Sequence, residues 1–213
     1  MPTNEEKHKE TYEAAEAAVR AADPAEIAAR TGATWLLQEG AGVPGVTGVL
    51  RIPALGDRAA LAWPSLEFTA ESPLLRTFPW RLICLHYLVV ATGRPPGTDW
   101  VSYREIPDGL FYANTVTREV EQPLAALYGT RPDAFLAAGG PLGATPADVA
   151  DAALLVRPLP HVAVLFALWV EDEEFPAKVK VLYDRTGTAD LPLQDLRILA
   201  DLLGGALRRG NPG

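Results

Sequence analysis

Cysteine is almost absent from this sequence. Cys84 is the single cysteine in 213 residues. One cysteine cannot form an intrachain disulfide, and it cannot supply the several thiolates of a cysteine-rich zinc or iron–sulfur site. Its neighbours in the sequence are apolar, which raises the pKa of a thiol and favours a packing role over a nucleophilic one. Chemistry that depends on paired cysteines is therefore excluded for this chain alone.

Basic residues are also in short supply. Lysine and arginine total 19 against 27 acidic residues, so the formal net charge is −8 at pH 7. A protein that binds nucleic acid nonspecifically needs a basic face to neutralise phosphates. Adsorption to anionic membranes requires basic residues in the same way. We therefore expect no nucleic-acid partner and no membrane partner.

Long hydrophobic runs are missing as well. The longest apolar run of the central region, residues 162–170, is far too short to cross a bilayer as a helix. The first residues are charged and do not form the apolar segment of a secretory signal. These absences lead us to expect a cytoplasmic protein.

The composition is that of a folded domain. Hydrophobic residues make up 48% of the chain and charged residues 22%, which is ordinary for a protein with a buried core. The order of helical and strand patterns predicts an α+β fold, with a single domain in which helices pack on a mainly antiparallel sheet. We expect an N-terminal helical arm over residues 1–31 and the α+β domain over residues 32–209.

The stretch from His161 to Asp184 is expected to form the centre of this domain. An apolar run rich in β-branched and aromatic residues predicts a strand that is buried on both faces. Residues 171–176 form an acidic connection that ends in Pro176. The following residues alternate in part between polar and apolar types, which predicts a second strand with one wetter face.

The acidic connection has two interpretations. Its carboxylates repel each other, so they must be solvated, paired with arginines or bound to a metal ion. Asp172, Glu173 and Glu174, together with Asp184, could hold a hard cation such as Mg²⁺ or Ca²⁺. A solvated turn with some carboxylates paired to arginine is the favoured interpretation, because no calcium-loop spacing is present.

A second set of residues suggests a ligand pocket. His86 lies on an apolar helix, where a core histidine bound to a backbone carbonyl is the favoured interpretation and a pocket residue is the alternative. Arg104 and Glu105 lie in a polar turn after Trp100; a buried arginine–carboxylate pair that ties two loops together is preferred, and capture of a ligand carboxylate or phosphate is the alternative. The predicted ligand-binding set is His86, Trp100, Tyr103, Arg104 and Trp169.

Several motifs resemble a prokaryotic family of unknown function. Residues 169–176 read Trp-Val-Glu-Asp-Glu-Glu-Phe-Pro, and Leu182-Tyr183-Asp184 follows. The family carries a Trp-x-x-Asp-Glu-Glu-Phe-Pro signature and then Leu-Phe-Asp, so Tyr183 replaces the usual phenylalanine. The resemblance extends over about residues 75–205 and includes the Trp100–Pro107 segment. In anaerobic bacteria and archaea this domain is often joined to an iron–sulfur module like that of corrinoid proteins, which implies a redox or tetrapyrrole setting.

These observations favour a noncatalytic module that binds a small molecule or cofactor, or a protein partner. The sequence does not identify the cofactor. The alternative is a divalent-metal-dependent enzyme that uses residues 171–174 and Asp184. A third interpretation gives the acidic turn a purely structural role, in which Arg104 and Arg157 fix it. The chain lacks recognisable acid, base and nucleophile motifs, which favours the noncatalytic interpretation.

Overall fold

The computed structural model of the protein describes residues 4–38 and 47–210. Its helices are α1 (Asn4–Ala21), α2 (Pro24–Thr31), α3 (Phe78–Val90), α4 (Leu110–Val116), α5 (Gln122–Tyr128), α6 (Pro132–Ala138) and α7 (Leu193–Arg209). Its strands are β1 (Thr34–Leu37), β2 (Gly48–Ala54), β3 (Asp57–Trp63), β4 (Phe68–Ala70), β5 (Trp100–Ser102), β6 (Thr145–Pro146), β7 (Ala152–Leu159), β8 (Val162–Trp169) and β9 (Lys178–Asp184). Within the described residues, no helix combines the length and apolar composition that a membrane span requires.

The strands form two antiparallel sheets. The smaller sheet follows the chain in the order β1-β2-β3-β4, and the larger has the order β5-β9-β8-β7-β6. Every strand pair is antiparallel. The predicted α+β class with a mainly antiparallel sheet is therefore confirmed, and the structure divides the strands between two sheets.

Strand β8 of the central hairpin is the most deeply buried strand of the larger sheet. All residues of β8 from Val162 to Leu168 are buried, as the continuous apolar run predicts. In β9, buried Val179, Val181 and Tyr183 alternate with more accessible residues. The two strands pair with Trp169 opposite Lys178, so the acidic connection leaves the sheet at that end.

Helices α1 and α2 contact the core directly. The Tyr12 ring lies 5.3 Å from the Phe78 ring, and the Tyr12 hydroxyl accepts a hydrogen bond of 2.7 Å from Arg81. Val19 and Ile27 are buried in the same apolar cluster as residues of both sheets. The division of the chain at residue 31 stays a prediction.

A π-helical turn, Thr117–Glu121, joins α4 to α5 without a break in the helix. The sequence predicts a break at Pro123, because proline lacks an N–H group and its ring collides with the carbonyl four residues earlier. The widened turn accommodates that proline, and Gln122 N–H donates to the Thr117 carbonyl five residues back. The turn directs the buried Glu121 side chain towards β9.

Candidate functional site

Asp172 builds the turn that connects β8 to β9. Its Oδ1 atom accepts hydrogen bonds from the backbone N–H groups of Glu174, at 2.8 Å, and Phe175, at 2.7 Å. The Asp172 N–H donates to the Phe175 carbonyl at 3.0 Å. An aspartate that satisfies nearby backbone donors in this way stabilises a tight turn. One carboxylate of the acidic run is therefore engaged by backbone N–H groups of the turn itself.

Two contacts from distant parts of the chain hold the start of this turn. Val170 N–H donates to Asp151 Oδ2 at 2.9 Å, and Glu171 N–H donates to the Gly129 carbonyl at 3.1 Å. Gly129 ends α5 and approaches Ala177 closely: a Cβ atom at Gly129 would lie 2.4 Å from the Ala177 Cβ. The turn is thus tied to the residue that precedes β7 and to the end of α5.

A pocket of about 520 Å³ opens beside this turn. We call it the turn pocket, and its lining residues are Asp151, Trp169, Val170, Asp172, Phe175, Pro176, Ala177 and Lys178. Trp169 is 38% exposed and Phe175 is 66% exposed, whereas the preceding residues of β8 are buried. The aromatic side chains are therefore available to a bound molecule.

Lys178 gives the turn pocket its positive charge. Its Nζ atom lies 5.8 Å from the centre of the Trp169 ring, within the range of a cation–π contact. Cross-strand pairing of Trp169 with Lys178 fixes this arrangement. The pocket thus combines aromatic surface with one ammonium group.

The structure does not bring the predicted metal ligands together. Asp172, Glu173 and Glu174 lie in the turn before β9, whereas Asp184 is the last residue of that strand, whose length is about 20 Å. Asp184 is buried and accepts hydrogen bonds from the N–H groups of Thr186 and Gly187. Among residues 4–38 and 47–210, no group of three or more histidine, cysteine, aspartate or glutamate side chains is arranged to hold a metal ion.

The predicted ligand-binding residues are spread over separate places. Trp169 lines the turn pocket, whereas Trp100 pairs with Asp184 at the opposite end of β9. His86 on α3 lies 2.5 Å from the Asp195 carboxylate, through its Nδ1 atom. Its polar partner is thus a carboxylate of α7, where the sequence favoured a backbone carbonyl. Tyr103 is buried, and its hydroxyl donates to the Leu193 carbonyl at 2.9 Å.

The expected buried arginine–carboxylate pair between two loops is not formed by Arg104 among the described residues. Glu105 accepts hydrogen bonds from Ser102 Oγ at 2.7 Å and Ser102 N–H at 2.8 Å, which form a capping box. These bonds lower the pKa of the Glu105 carboxyl. Arg104 is exposed and lines a second, smaller pocket with Tyr103. In the described part of the chain, neither Arg104 nor Arg157 forms an ion pair with the acidic turn.

The comparison with protein families covers most of the chain. Residues 23–205 match the family described as "Domain of unknown function (DUF3786)". The chain belongs to this family. The predicted membership in a family of unknown function is thereby confirmed, while the signature motif and the link to an iron–sulfur module stay predictions. No curated protein matches the chain, and no solved structure matches it.

The DUF3786 region contains the whole turn pocket, and of its eight lining residues only Trp169 and Asp172 were among the predicted site residues. The sequence could have indicated Phe175 as a site residue, because an apolar residue directly after four acidic residues is unusual. The evidence in the sequence for Lys178 is weaker, because the alternation in β9 predicts only that its side chain faces solvent. Nothing in the sequence indicates Asp151, because its hydrogen bond with the Val170 N–H joins residues that are 19 positions apart.

Proposed function

We propose that this DUF3786 domain is a noncatalytic module that binds a small molecule in the turn pocket. The ligand that suits the pocket has a flat aromatic body and an acidic group. The observation that carries this proposal is the exposure of Trp169 and Phe175 towards one cavity of about 520 Å³.

The size and lining of the pocket support a small organic ligand. Binding sites for such molecules commonly have volumes of roughly 300–1,000 Å³ and apolar or aromatic walls. The accessible parts of the Trp169 and Phe175 rings offer stacking surface to a flat ligand. The hydrogen-bonded turn holds Phe175 in place before a ligand arrives, which reduces the entropy cost of binding.

The charged residues of the lining are two carboxylates and one ammonium group, so an acidic group of the ligand is suited only to the position beside Lys178. Lys178 is the one cationic side chain among the described residues that line the turn pocket. Asp151 and Asp172 already accept backbone N–H groups. Because these carboxylates hold the turn together, they are positioned for structure and not for acid–base chemistry. Lys178 is therefore the group that would attract a carboxylate, phosphate or sulfonate.

The family resemblance adds a redox or tetrapyrrole setting to this proposal. Flavins and tetrapyrroles are flat, conjugated molecules, and many of them carry phosphate or carboxylate groups. The turn pocket offers the matching features, an aromatic wall formed by Trp169 and Phe175 and an ammonium group on Lys178. Flavin mononucleotide and protoporphyrin are therefore suitable cofactor-like probes.

A pair of fluorescent probes tests both parts of the proposal. The anionic probe is 8-anilinonaphthalene-1-sulfonate, and its neutral counterpart, N-phenyl-1-naphthylamine, lacks only the sulfonate. Trp169→Ala should weaken binding of both probes by about tenfold, since one aromatic stacking contact contributes about 1–3 kcal/mol. Lys178→Gln should weaken binding of the anionic probe alone.

Phe111→Ala is the matched control, because Phe111 is an aromatic residue that is 83% exposed and lies outside the turn pocket. This variant should bind both probes like the unmodified protein. Equal affinity of the Trp169→Ala variant and the unmodified protein for the anionic probe would contradict the proposal. A loss in Phe111→Ala as large as that in Trp169→Ala would contradict it too.

A further inference from the structure

A second pocket, of about 200 Å³, lies beside β9 at the point where β5 ends. We call it the edge pocket, and the polar residues that line it include Ser102, Arg104, Asn114, Thr117, Glu121 and Lys180. It contains no residue of the turn pocket. It therefore offers a site that is separate from the one proposed above.

The edge pocket exists because the outer strand of the larger sheet is short. β5 pairs with β9 only at residues 182–184, and Ser102 is opposite Leu182. The next donor of β9 on that side, the Val181 N–H, has no strand to bind. Glu121 from the π-helical turn supplies the acceptor, with its Oε1 atom 3.1 Å from that nitrogen. A side chain thus replaces the missing strand, and a gap is left beside it.

The hydrogen-bonding capacity of Glu121 is largely used inside the protein. Its Oε2 atom accepts from Thr117 Oγ1 at 2.8 Å and from Lys180 Nζ at 2.8 Å. The Ser102 hydroxyl donates to Glu105. The Glu121 carboxylate and the hydroxyl hydrogens of Ser102 and Thr117 are therefore already engaged, so a positively charged ligand would find no free carboxylate at Glu121.

Donors, in contrast, are available. An ammonium group has three donors, and Lys180 uses one of them for Glu121. In the described part of the chain, Arg104 makes neither a side-chain hydrogen bond nor an ion pair, so its five N–H groups can bind a ligand. The side-chain amide of Asn114 adds further N–H groups. With two cations and one buried carboxylate in its lining, the pocket has an excess of one positive charge.

We propose that the edge pocket binds a phosphate-sized oxyanion between Arg104 and Lys180. A guanidinium group binds phosphate through two parallel hydrogen bonds, and a lysine ammonium adds a point charge. The volume of the pocket, about 200 Å³, suits a phosphate group. Free phosphate and the phosphate of a small metabolite share this chemistry.

Thermal unfolding and calorimetric titration test this proposal, with phosphate compared to chloride at equal ionic strength. Phosphate should raise the melting temperature in a saturable way. Arg104→Gln should weaken phosphate binding by about tenfold or more, because charge-assisted hydrogen bonds are lost. Its melting temperature in chloride should match that of the unmodified protein, since the side chain is exposed and unpaired within the described residues.

Arg118→Gln is the control. It also removes one positive charge from an exposed arginine, but Arg118, which lies in the same π-helical turn as Glu121, does not line the pocket. This variant should bind phosphate like the unmodified protein. Glycerol 3-phosphate distinguishes the sources: tighter binding than inorganic phosphate indicates a phosphorylated metabolite, and equal binding indicates free phosphate. Failure of both anions to bind better than chloride, or an equal effect of the two arginine substitutions, would overturn the proposal. Neither outcome depends on the turn pocket.

Discussion

At the scale of single residues, the turn pocket depends on one carboxylate. Asp172 holds the N–H groups of Glu174 and Phe175, and this keeps the Phe175 ring beside the pocket. The acidic run therefore contains one residue that builds the turn and three exposed neighbours that keep it solvated. The sequence alone does not distinguish Asp172 from the other acidic residues of the run.

The role of Asp172 can be measured by two substitutions. Asp172→Ala should lower the free energy of unfolding by about 1 kcal/mol, because two backbone donors lose their acceptor in a solvated turn. Asp172→Asn keeps an oxygen that can accept both bonds, so it should lose less than half as much. Urea denaturation measures both values. Equal losses in the two variants would show that charge, and not hydrogen bonding, stabilises the turn.

Glu105 provides a pH-dependent test of the segment next to the edge pocket. Hydrogen bonds from Ser102 lower the pKa of Glu105 below its usual value of 4.5. Because the pKa is lower in the folded state, the stabilisation is complete above pH 4.5 and is lost as the pH falls through the folded pKa. Ser102→Ala removes the hydroxyl donor and should raise the pKa of Glu105 towards 4.5.

An NMR titration of the Glu105 side-chain carboxyl measures that change. The backbone N–H of Ser102 still donates in the Ser102→Ala variant, so part of the shift should persist. An unchanged pKa in this variant would show that the hydroxyl contributes nothing to the capping box.

At the scale of secondary-structure elements, the contact between the end of α5 and the start of β9 determines where the turn pocket lies. Gly129 allows this contact, because any larger residue would collide with Ala177. The carbonyl of the same glycine accepts the Glu171 N–H. A helix end and a strand entry are thus fixed to each other beside the pocket.

Gly129→Ala should lower the free energy of unfolding by about 1–3 kcal/mol, because a methyl group would be forced into a packed contact. Gly140→Ala is the control: no atom lies within 4 Å of an added Cβ there, and the backbone does not adopt a positive φ angle. Chemical denaturation of the two variants measures the difference. Equal stability of the two variants would contradict the close packing of α5 against β9.

Local sequence patterns predicted the main strands and helices, whereas the two pockets depend on long-range contacts that such patterns do not show. The apolar run of β8, the alternation in β9 and the leucine spacing of α7 depend on neighbours in the sequence. The two pockets depend on contacts such as Asp151 with Val170 and Glu121 with Val181. No pattern in a single sequence encodes such pairs. The set of five ligand-binding residues was therefore divided between several places in the structure.

At the scale of the whole molecule, one apolar core joins both sheets and the helices. The core cluster contains Val19 of α1, Leu50 of β2, Cys84 of α3 and Phe166 of β8. Such a continuous core predicts cooperative unfolding of the described structure in one transition. Cys84 reports on this transition because it is the only cysteine in the sequence and is buried.

The thiol of Cys84 should be unreactive in the native state. Burial raises its pKa to about 12, so almost no thiolate forms near neutral pH. Ellman's reagent should label it only as the protein unfolds, with the same urea midpoint as circular dichroism. Labelling at a lower urea concentration would show that α3 separates from the core before the rest unfolds.

The tryptophan indole N–H signals test ligand binding in the turn pocket most directly. The chain has five tryptophans, and a Trp169→Phe variant assigns the signal of Trp169. Saturable addition of 8-anilinonaphthalene-1-sulfonate should shift the Trp169 signal and leave that of Trp100 unchanged, because Trp100 lies at the opposite end of β9. An unmoved Trp169 signal at saturating probe, or an equal shift of Trp100, would contradict binding in the turn pocket.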